Sequence, residues 1–197
     1  VIGGLSGVMH SSDASDAQQQ DSYFVIAHFH YIAIGGILLA SISAIYFWLP
    51  KVVGKMWVGR TSVWVAILAT IGLNVTFFPM HFLGMAGMPR RVFTYPADMG
   101  WDFWNMFAPV GAFVIALSGV VFVYNAIRSL RSGEVAGADP WDGRTLEWSI
   151  PSPPPEYNFA EIPTVRGLDA FWDQKYRHDV TVPVGGGSGV NEGSQDG

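Results

Sequence analysis

The chain has 197 residues, of which 50% are hydrophobic and 14% are charged, and its formal net charge at pH 7 is −5. Soluble domains carry about 25% charged residues, so this composition favours a membrane protein. The absence of cysteine excludes disulfides, zinc–thiolate sites, iron–sulfur clusters and thiol catalysis, and the lack of a basic cluster argues against nucleic-acid binding.

The first segment of the chain is apolar but short. Residues 1–9 read VIGGLSGVM and are too few to cross a bilayer, because a spanning helix needs about 20 apolar residues. Neither an initiator methionine nor a signal peptide stands before them. We therefore expect the end of a helix that begins elsewhere, in a chain that is a fragment or a split subunit.

Three long stretches without Asp, Glu, Lys or Arg follow, over residues 23–49, 61–88 and 103–127. Each is long enough to span a bilayer. The alternative is a buried helical core of a soluble protein, but soluble helices have polar outer faces, which these stretches lack. We predict transmembrane helices over about residues 22–49, 61–83 and 102–131. The first is expected to end before Pro50, and the second to be broken at Gly84 and Gly87.

The basic residues predict how these helices are oriented. The loop after the first helix and the segment after the third are basic, through Lys51, Lys55, Arg60, Arg128 and Arg131. Because Lys and Arg are enriched in cytoplasmic loops, we expect residues 1–20 and the 84–100 loop outside and the C-terminal tail in the cytoplasm. Arg90 and Arg91 then lie outside against this rule, which calls for a functional explanation.

The last third of the chain is polar. Four prolines within residues 151–155 favour extended structure. We predict a transmembrane helical region over residues 1–132 and an extramembrane Pro-rich tail over 133–184. A short surface helix is expected at Leu168–Tyr176, and the Gly-rich end over 185–197 is expected to be disordered.

His28 and His30 are the sharpest candidates for chemistry. Each residue of an α-helix turns by about 100°, so side chains two positions apart point about 200° apart. Such a pair does not chelate one metal ion, for which spacings of three or four residues are used, but it can ligate one group on each face. Haem iron commonly takes a histidine ligand. The alternative is two neutral histidines hydrogen-bonded to neighbouring helices.

The two histidines and two arginines are expected near the same side of the membrane. Counted from Tyr23, His28 lies about 7.5 Å and His30 about 10 Å into the helix, where ionisable residues are usually functional. Arg90 and Arg91 end the second helix on the same side. Because guanidinium groups pair with carboxylates in a bidentate fork, adjacent arginines suit the propionates of two haems. Contact with lipid headgroups is the alternative.

Four segments resemble one known family. DSYFVIAHFHY (residues 21–31) resembles the tenth helix of the catalytic subunit I of haem–copper oxidases, and TFFPMHFLGMAGMPRR (76–91) resembles the end of its eleventh helix. Residues 101–131 are similar to the twelfth helix, and LEWSIPSPPPEYNF (146–159) to the tail of bacterial members. The resemblance implies an all-α membrane protein. It would have three transmembrane helices, the end of a preceding helix and a mostly irregular polar tail, and would form the C-terminal part of a twelve-helix subunit.

The resemblance also implies roles for the haem-facing residues. His28 would be the proximal ligand of the high-spin haem where oxygen binds, and so the catalytic position. His30 would be one of two ligands of the low-spin haem. Phe29 would lie on the electron path between the haems, and Arg90 and Arg91 would hold their propionates.

The acidic residues before the histidines have implied roles as well. Asp16 would match a carboxyl near a propionate of the high-spin haem. Asp21 would match a magnesium ligand, although Gln20 stands where many members have a second ligand, a histidine. His10 is out of register and is expected in a loop, while His81 is expected to be packed and hydrogen-bonded without a metal.

The implied activity belongs to a larger assembly. It is the reduction of O₂ to water with electrons from cytochrome c, coupled to proton translocation, by a cytochrome c oxidase of a prokaryotic plasma membrane. The cofactors would be two haems, copper and magnesium. The copper ligands, the cross-linked tyrosine and the second low-spin ligand would come from the missing N-terminal part of subunit I, and His178 in the tail cannot replace them. A copper-containing subunit II would be a partner, and these 197 residues alone are expected to be inactive.

Three alternatives remain at this point. A quinol oxidase would share the motifs and take electrons from quinol. A nitric oxide reductase relative is less favoured, because the Arg–Arg loop and the Pro-rich tail resemble the oxygen-reducing branch. A non-catalytic membrane scaffold or remnant would lack the copper site.

Overall fold

The structure, a computed structural model, describes residues 1–57, 59–165 and 167–176. Two short helices come first, α1 over Ile2–His10 and α2 over Asp13–Gln19. An unbroken helix over Tyr23–Val53 follows. It consists of α3 over Tyr23–His30, a π-helical segment over Tyr31–Leu38, and α4 over Leu39–Val53.

The rest of the chain holds two more long helices and a small tail. Helix α5 covers Thr61–Met85. Helices α6 over Asp102–Asn105 and α7 over Phe107–Ser132 together form the third long helix. The tail holds a 3₁₀ turn over Leu146–Ser149 and helix α8 over Ala170–Tyr176.

Three of the helices in the described residues are long and apolar enough to cross a membrane. Their most apolar windows have mean hydropathies of 2.1, 1.8 and 2.3, in chain order. Helix α1 precedes them and packs against α3, as the end of an earlier helix would. The predicted fold class, an all-α membrane protein with three spans and a short preceding helix, is confirmed.

The first long helix does not end before Pro50, contrary to the expectation from sequence. Pro50 lies inside α4, and it has no N–H to donate to the carbonyl of Tyr46. The indole Nε1 of Trp57 donates to that carbonyl instead, at 2.9 Å, so the proline is tolerated. The helix ends at Gly54, whose φ of 70° is the left-handed conformation common after helix C-termini.

Gly84 does not break the second long helix either. It lies within α5, where a Cβ would overlap the backbone of Phe24 in α3. The missing side chain therefore lets α3 and α5 approach closely, and this contact fixes the position of the histidine-bearing helix.

Small residues also hold α5 against α7. A Cβ on Gly72 would lie 2.7 Å from Cγ1 of Ile115, and a Cβ on Gly111 would overlap Thr76. Helices in membranes commonly associate through small residues, because close backbone approach maximises van der Waals contact. Helix α5 is therefore the central element of the bundle.

The tail packs on the C-terminal end of α4. Lys51 is only 4% exposed. Its Nζ donates to the carbonyls of Ala138 at 2.8 Å and Ile150 at 2.6 Å. Trp148, also buried, stacks on Trp48 with ring centroids 5.4 Å apart. Lys51 therefore anchors the tail through backbone acceptors rather than through a carboxylate.

A short helix closes the described part of the tail. Helix α8 falls within the predicted surface helix at Leu168–Tyr176, which is thereby confirmed. Nζ of Lys175 donates to Oδ2 of Asp139 at 2.7 Å and to Oδ1 of Asp142 at 2.6 Å. His178 and the predicted disordered end over 185–197 lie outside the described residues.

We expect Gly111→Ala to destabilise the subunit by about 1–3 kcal/mol, because the added methyl group overlaps α5 in a packed interface. Gly119→Ala in the same helix is the matched control, since a Cβ there meets no atom within 4 Å. Thermal unfolding of the purified membrane protein measures both variants. Equal transition temperatures would contradict the proposed close contact.

We expect Asp142→Asn to loosen α8 at neutral pH. The hydrogen bond from Lys175 holds the pKa of Asp142 below its usual value. Its stabilising effect is therefore present above the unfolded-state pKa and is lost as the pH falls through the lowered, folded-state pKa. Amide hydrogen exchange over residues 170–176 should accelerate in this variant. It should be unchanged in the control Glu156→Gln, which alters an exposed carboxylate of the same tail.

Candidate functional site

The start of α3 and the segment after α5 are joined by a short backbone bridge. Ser22 pairs with Pro89 in antiparallel fashion. The N–H of Tyr23 donates to the carbonyl of Met88 at 2.9 Å, and the N–H of Arg90 donates to the carbonyl of Asp21 at 2.8 Å. The arginine pair and the start of the histidine-bearing helix are thus held at one end of the bundle, as the sequence predicts.

The two arginines differ in their surroundings. Arg90 forms an ion pair with Asp21, and its Nε is buried without a hydrogen-bond partner among the described residues. Arg91 is exposed, with a φ of 66° that turns the chain away from the bridge. Arg90 therefore has donor capacity left for a further acceptor, and Arg91 is open to approach from outside this chain.

His28 faces α1. Its Nδ1 lies 2.9 Å from Oγ of Ser6. A Cβ on Gly7 would lie 3.1 Å from Cε1 of His28, so the ring packs closely on the backbone of α1. The ring of His10 also contacts the ring of His28, with centroids 5.0 Å apart.

His30 faces α5 instead. Its ring stacks on Phe77 with centroids 4.2 Å apart and planes at 12°. Its Nδ1 donates to the carbonyl of Ile26 at 2.8 Å, one turn earlier in the same helix. Because a carbonyl oxygen only accepts, the proton of a neutral His30 is fixed on Nδ1. Phe29 lies beside it, 45% exposed, with ring centroids 4.3 Å apart.

The two imidazoles therefore contact different neighbours, as expected for positions two apart on an α-helix. Residues Tyr23–His30 are α-helical, so the angular argument applies through His30. Each ring uses Nδ1 for a bond within the protein, and Nε2 of each has no hydrogen bond to the described residues. A neutral histidine with its proton on Nδ1 presents a lone pair at Nε2, which is a metal-ligand position.

His10 is not the loop residue expected from sequence. It ends helix α1, and its Nδ1 lies 3.0 Å from Oδ1 of Asp16, across the turn between α1 and α2. Sequence spacing gave no sign of the contact with His28, because it depends on how α1 packs on α3. His10 therefore links Asp16 to the candidate ligand His28, because its ring contacts both side chains.

His81 has the packed environment predicted for it. It is 8% exposed, its Nδ1 donates to the carbonyl of Phe78 at 3.1 Å, and it meets the ring of Phe24 edge-on at 5.0 Å.

The sequence alone does not single out Ser6. One serine in a short apolar segment gives no functional signal by itself, and its contact with His28 joins residues 22 positions apart. The only available sign was that Ser6 is the first polar side chain of that segment.

Within residues 1–57, 59–165 and 167–176, no group of three or more His, Asp or Glu side chains is arranged to hold a metal ion. His28 and His30 contact different neighbours, so each offers a single donor. A haem iron can use a single donor of this kind, because the porphyrin itself supplies four nitrogen ligands.

Comparison with known proteins gives a consistent match. The family model described as "Cytochrome C and Quinol oxidase polypeptide I" matches residues 1–114. Cytochrome c oxidase subunit 1 of Bacillus sp. (strain PS3) is 50% identical over 179 residues, covering 89% of this chain and 29% of the relative. The protein of the same name from Bacillus subtilis (strain 168) is 46% identical over 179 residues, covering 89% of this chain and 28% of the relative.

A quinol oxidase subunit matches over a similar length. Quinol oxidase subunit 1 of Bacillus subtilis (strain 168) is 42% identical over 187 residues, covering 93% of this chain and 29% of the relative. The chain thus spans less than a third of the length of these relatives.

Proposed function

The chain belongs to the cytochrome c and quinol oxidase polypeptide I family, and from this premise we propose that it is the C-terminal part of subunit I of a terminal respiratory oxidase. The complete enzyme would reduce O₂ to water with electrons from cytochrome c and couple this reaction to proton translocation. Within it, this chain would provide one axial ligand to each of two haems.

The observation that carries the proposal is the state of the two histidines. His28 and His30 face different neighbours, each uses Nδ1 within the protein, and neither Nε2 is hydrogen-bonded to the described residues. We assign Nε2 of His28 to the high-spin haem iron and Nε2 of His30 to the low-spin haem iron. When bound, the haems would supply the electron transfer and the oxygen chemistry.

The outer-end residues fit the carboxylates of such a cofactor. Arg90 keeps a buried, unpartnered Nε beside its ion pair with Asp21, and Arg91 is exposed next to it. In a poorly screened region, both guanidinium groups would offset the negative charge of haem propionates. We assign Asp16 to the neighbourhood of a high-spin haem propionate, where His10 holds its side chain in place.

The aromatic residue between the ligands would complete the site. Phe29 lies between the two proposed iron ligands in sequence, and its ring is tilted against that of His30 with centroids 4.3 Å apart. We assign it to the electron path between the haems.

The magnesium assignment rests on Asp21 alone. Its side chain is 70% exposed and paired with Arg90, so a magnesium ion would have to compete with a guanidinium group or bind beside it. Mg²⁺ in proteins keeps several water ligands, so a single carboxylate from this chain is compatible with its coordination.

The remaining parts of the enzyme lie outside this chain. Copper ligands, the second low-spin ligand and a copper-containing subunit II would be provided by the rest of the assembly. We place the complex in a prokaryotic plasma membrane, with the 133–184 tail in the cytoplasm. The tail's contact with the Lys51 end of the first span is consistent with that side, because Lys51 and Lys55 lie there.

A second candidate function differs only in the electron donor. The 42% identity to quinol oxidase subunit 1 of Bacillus subtilis keeps it open. Oxidation of reduced cytochrome c by the purified complex would favour the first candidate, and oxidation of quinol alone would favour the second. A complex without any haem absorption would instead identify a scaffold.

We expect His28→Ala in the intact oxidase to abolish oxygen reduction while leaving the low-spin haem spectrum in place, since only one iron loses its ligand. Oxygen consumption and the reduced-minus-oxidised spectrum test this. His178→Ala, a histidine substitution in the polar tail, should change neither. Turnover retained by His28→Ala would refute its role.

We expect His30→Ala to remove the low-spin absorption band, because it removes the imidazole that we assign to the low-spin haem iron and that stacks on Phe77. Subunit assembly should be checked by co-purification of the other subunits. An assembled complex with an unaltered reduced spectrum would contradict the assignment.

A further inference from the structure

We propose that the hydroxyl of Ser6 is a positioning group for His28. It would accept a hydrogen bond from Nδ1–H of the imidazole, fix the tautomer that presents the Nε2 lone pair to the iron, and make His28 a stronger electron-pair donor to that iron. This inference rests on the proposed function, because it concerns the ligand of the high-spin haem.

The direction of the hydrogen bond follows from the other contacts of the hydroxyl. Ser6 is 4% exposed. Its Oγ lies 3.1 Å from the carbonyl oxygens of both Ile2 and Gly3, and 2.9 Å from Nδ1 of His28. Carbonyl oxygens only accept, so the single hydroxyl proton is directed to the backbone of α1. The lone pairs of Oγ are then left to accept from Nδ1–H of His28.

The two proposed ligands differ in the origin of their acceptors. The acceptor for His30 is the carbonyl of Ile26 in its own helix, which no side-chain substitution removes. The acceptor for His28 is a side chain on another helix, so it depends on residue 6 and on the packing of α1 against α3. A substitution at residue 6 would thus change the hydrogen bond to the ligand of the high-spin haem and leave that of the low-spin haem unchanged.

The imidazole of His28 is closely packed against α1. The backbone at Gly7 lies against one side, with only 3.1 Å between a Cβ there and Cε1 of the imidazole. The ring of His10 lies 5.0 Å away, centroid to centroid. Outer-shell hydrogen bonds of this kind orient metal-bound histidines and raise their basicity.

Three substitutions in the intact oxidase separate hydrogen bonding from packing. Ser6→Ala removes the hydroxyl with little change of volume. Ser6→Val and Ser6→Thr form a matched pair of equal shape, of which only threonine retains a hydroxyl. Ser11→Ala is the control, because its hydroxyl bonds the carbonyl of Val8 in the same segment and has no contact with His28 among the described residues.

The readout is the iron–histidine stretching band of the reduced high-spin haem, measured by resonance Raman spectroscopy. We expect the band at lower frequency in Ser6→Ala and Ser6→Val and at the original frequency in Ser6→Thr and Ser11→Ala. Haem affinity should fall about 10-fold in the first two variants. The low-spin haem spectrum should be the same in all four.

Two results would overturn the inference. An unchanged band in Ser6→Ala and Ser6→Val would show that the hydroxyl is not the acceptor, and an equal shift in Ser6→Thr would show that packing alone is responsible. Failure of the proposed function would look different, because the iron–histidine band would then persist in His28→Ala.

Discussion

The site depends on the angle between two side chains on one helix. Positions two apart on an α-helix face in nearly opposite directions, so His28 is turned to α1 and His30 to α5. Nδ1 of His30 donates to the carbonyl of Ile26, and Nδ1 of His28 lies 2.9 Å from the hydroxyl of Ser6. The same angle keeps the pair from sharing one metal ion, and under the proposed function it would let one helix provide a ligand to each of two haems.

That geometry is stabilised by close contacts between helices at glycine residues, which have no side chain. Gly84 brings α5 against the start of α3, and Gly72 and Gly111 bring α7 against α5. The backbone bridge at Ser22 and Pro89 fixes the same end of the bundle. Consequently the arginine loop, the histidine-bearing helix and α1 keep a fixed relation, although the first span has none of its most apolar window buried within the described chain.

Much of this arrangement could be predicted from sequence, because its signals are local. Charge-free stretches predict the spans, and a spacing of two predicts divergent histidines. The features that escaped prediction depend on contacts between distant segments. Pro50 is tolerated because Trp57 bonds the carbonyl it leaves free. Gly84 reads equally as a helix breaker or as a packing position, and only the neighbouring backbone distinguishes them. The neighbours of His28 belong to a helix some twenty residues earlier.

The π-helical segment over Tyr31–Leu38 begins directly after His30. Its hydrogen bonds reach five residues back instead of four, so each turn holds more residues and the helical phase drifts. A wheel drawn from α3 therefore does not predict which side of α4 lies beneath which histidine. The two halves of this span can thus present differently oriented faces to their surroundings, so the contacts of one half do not determine which residues the other half exposes.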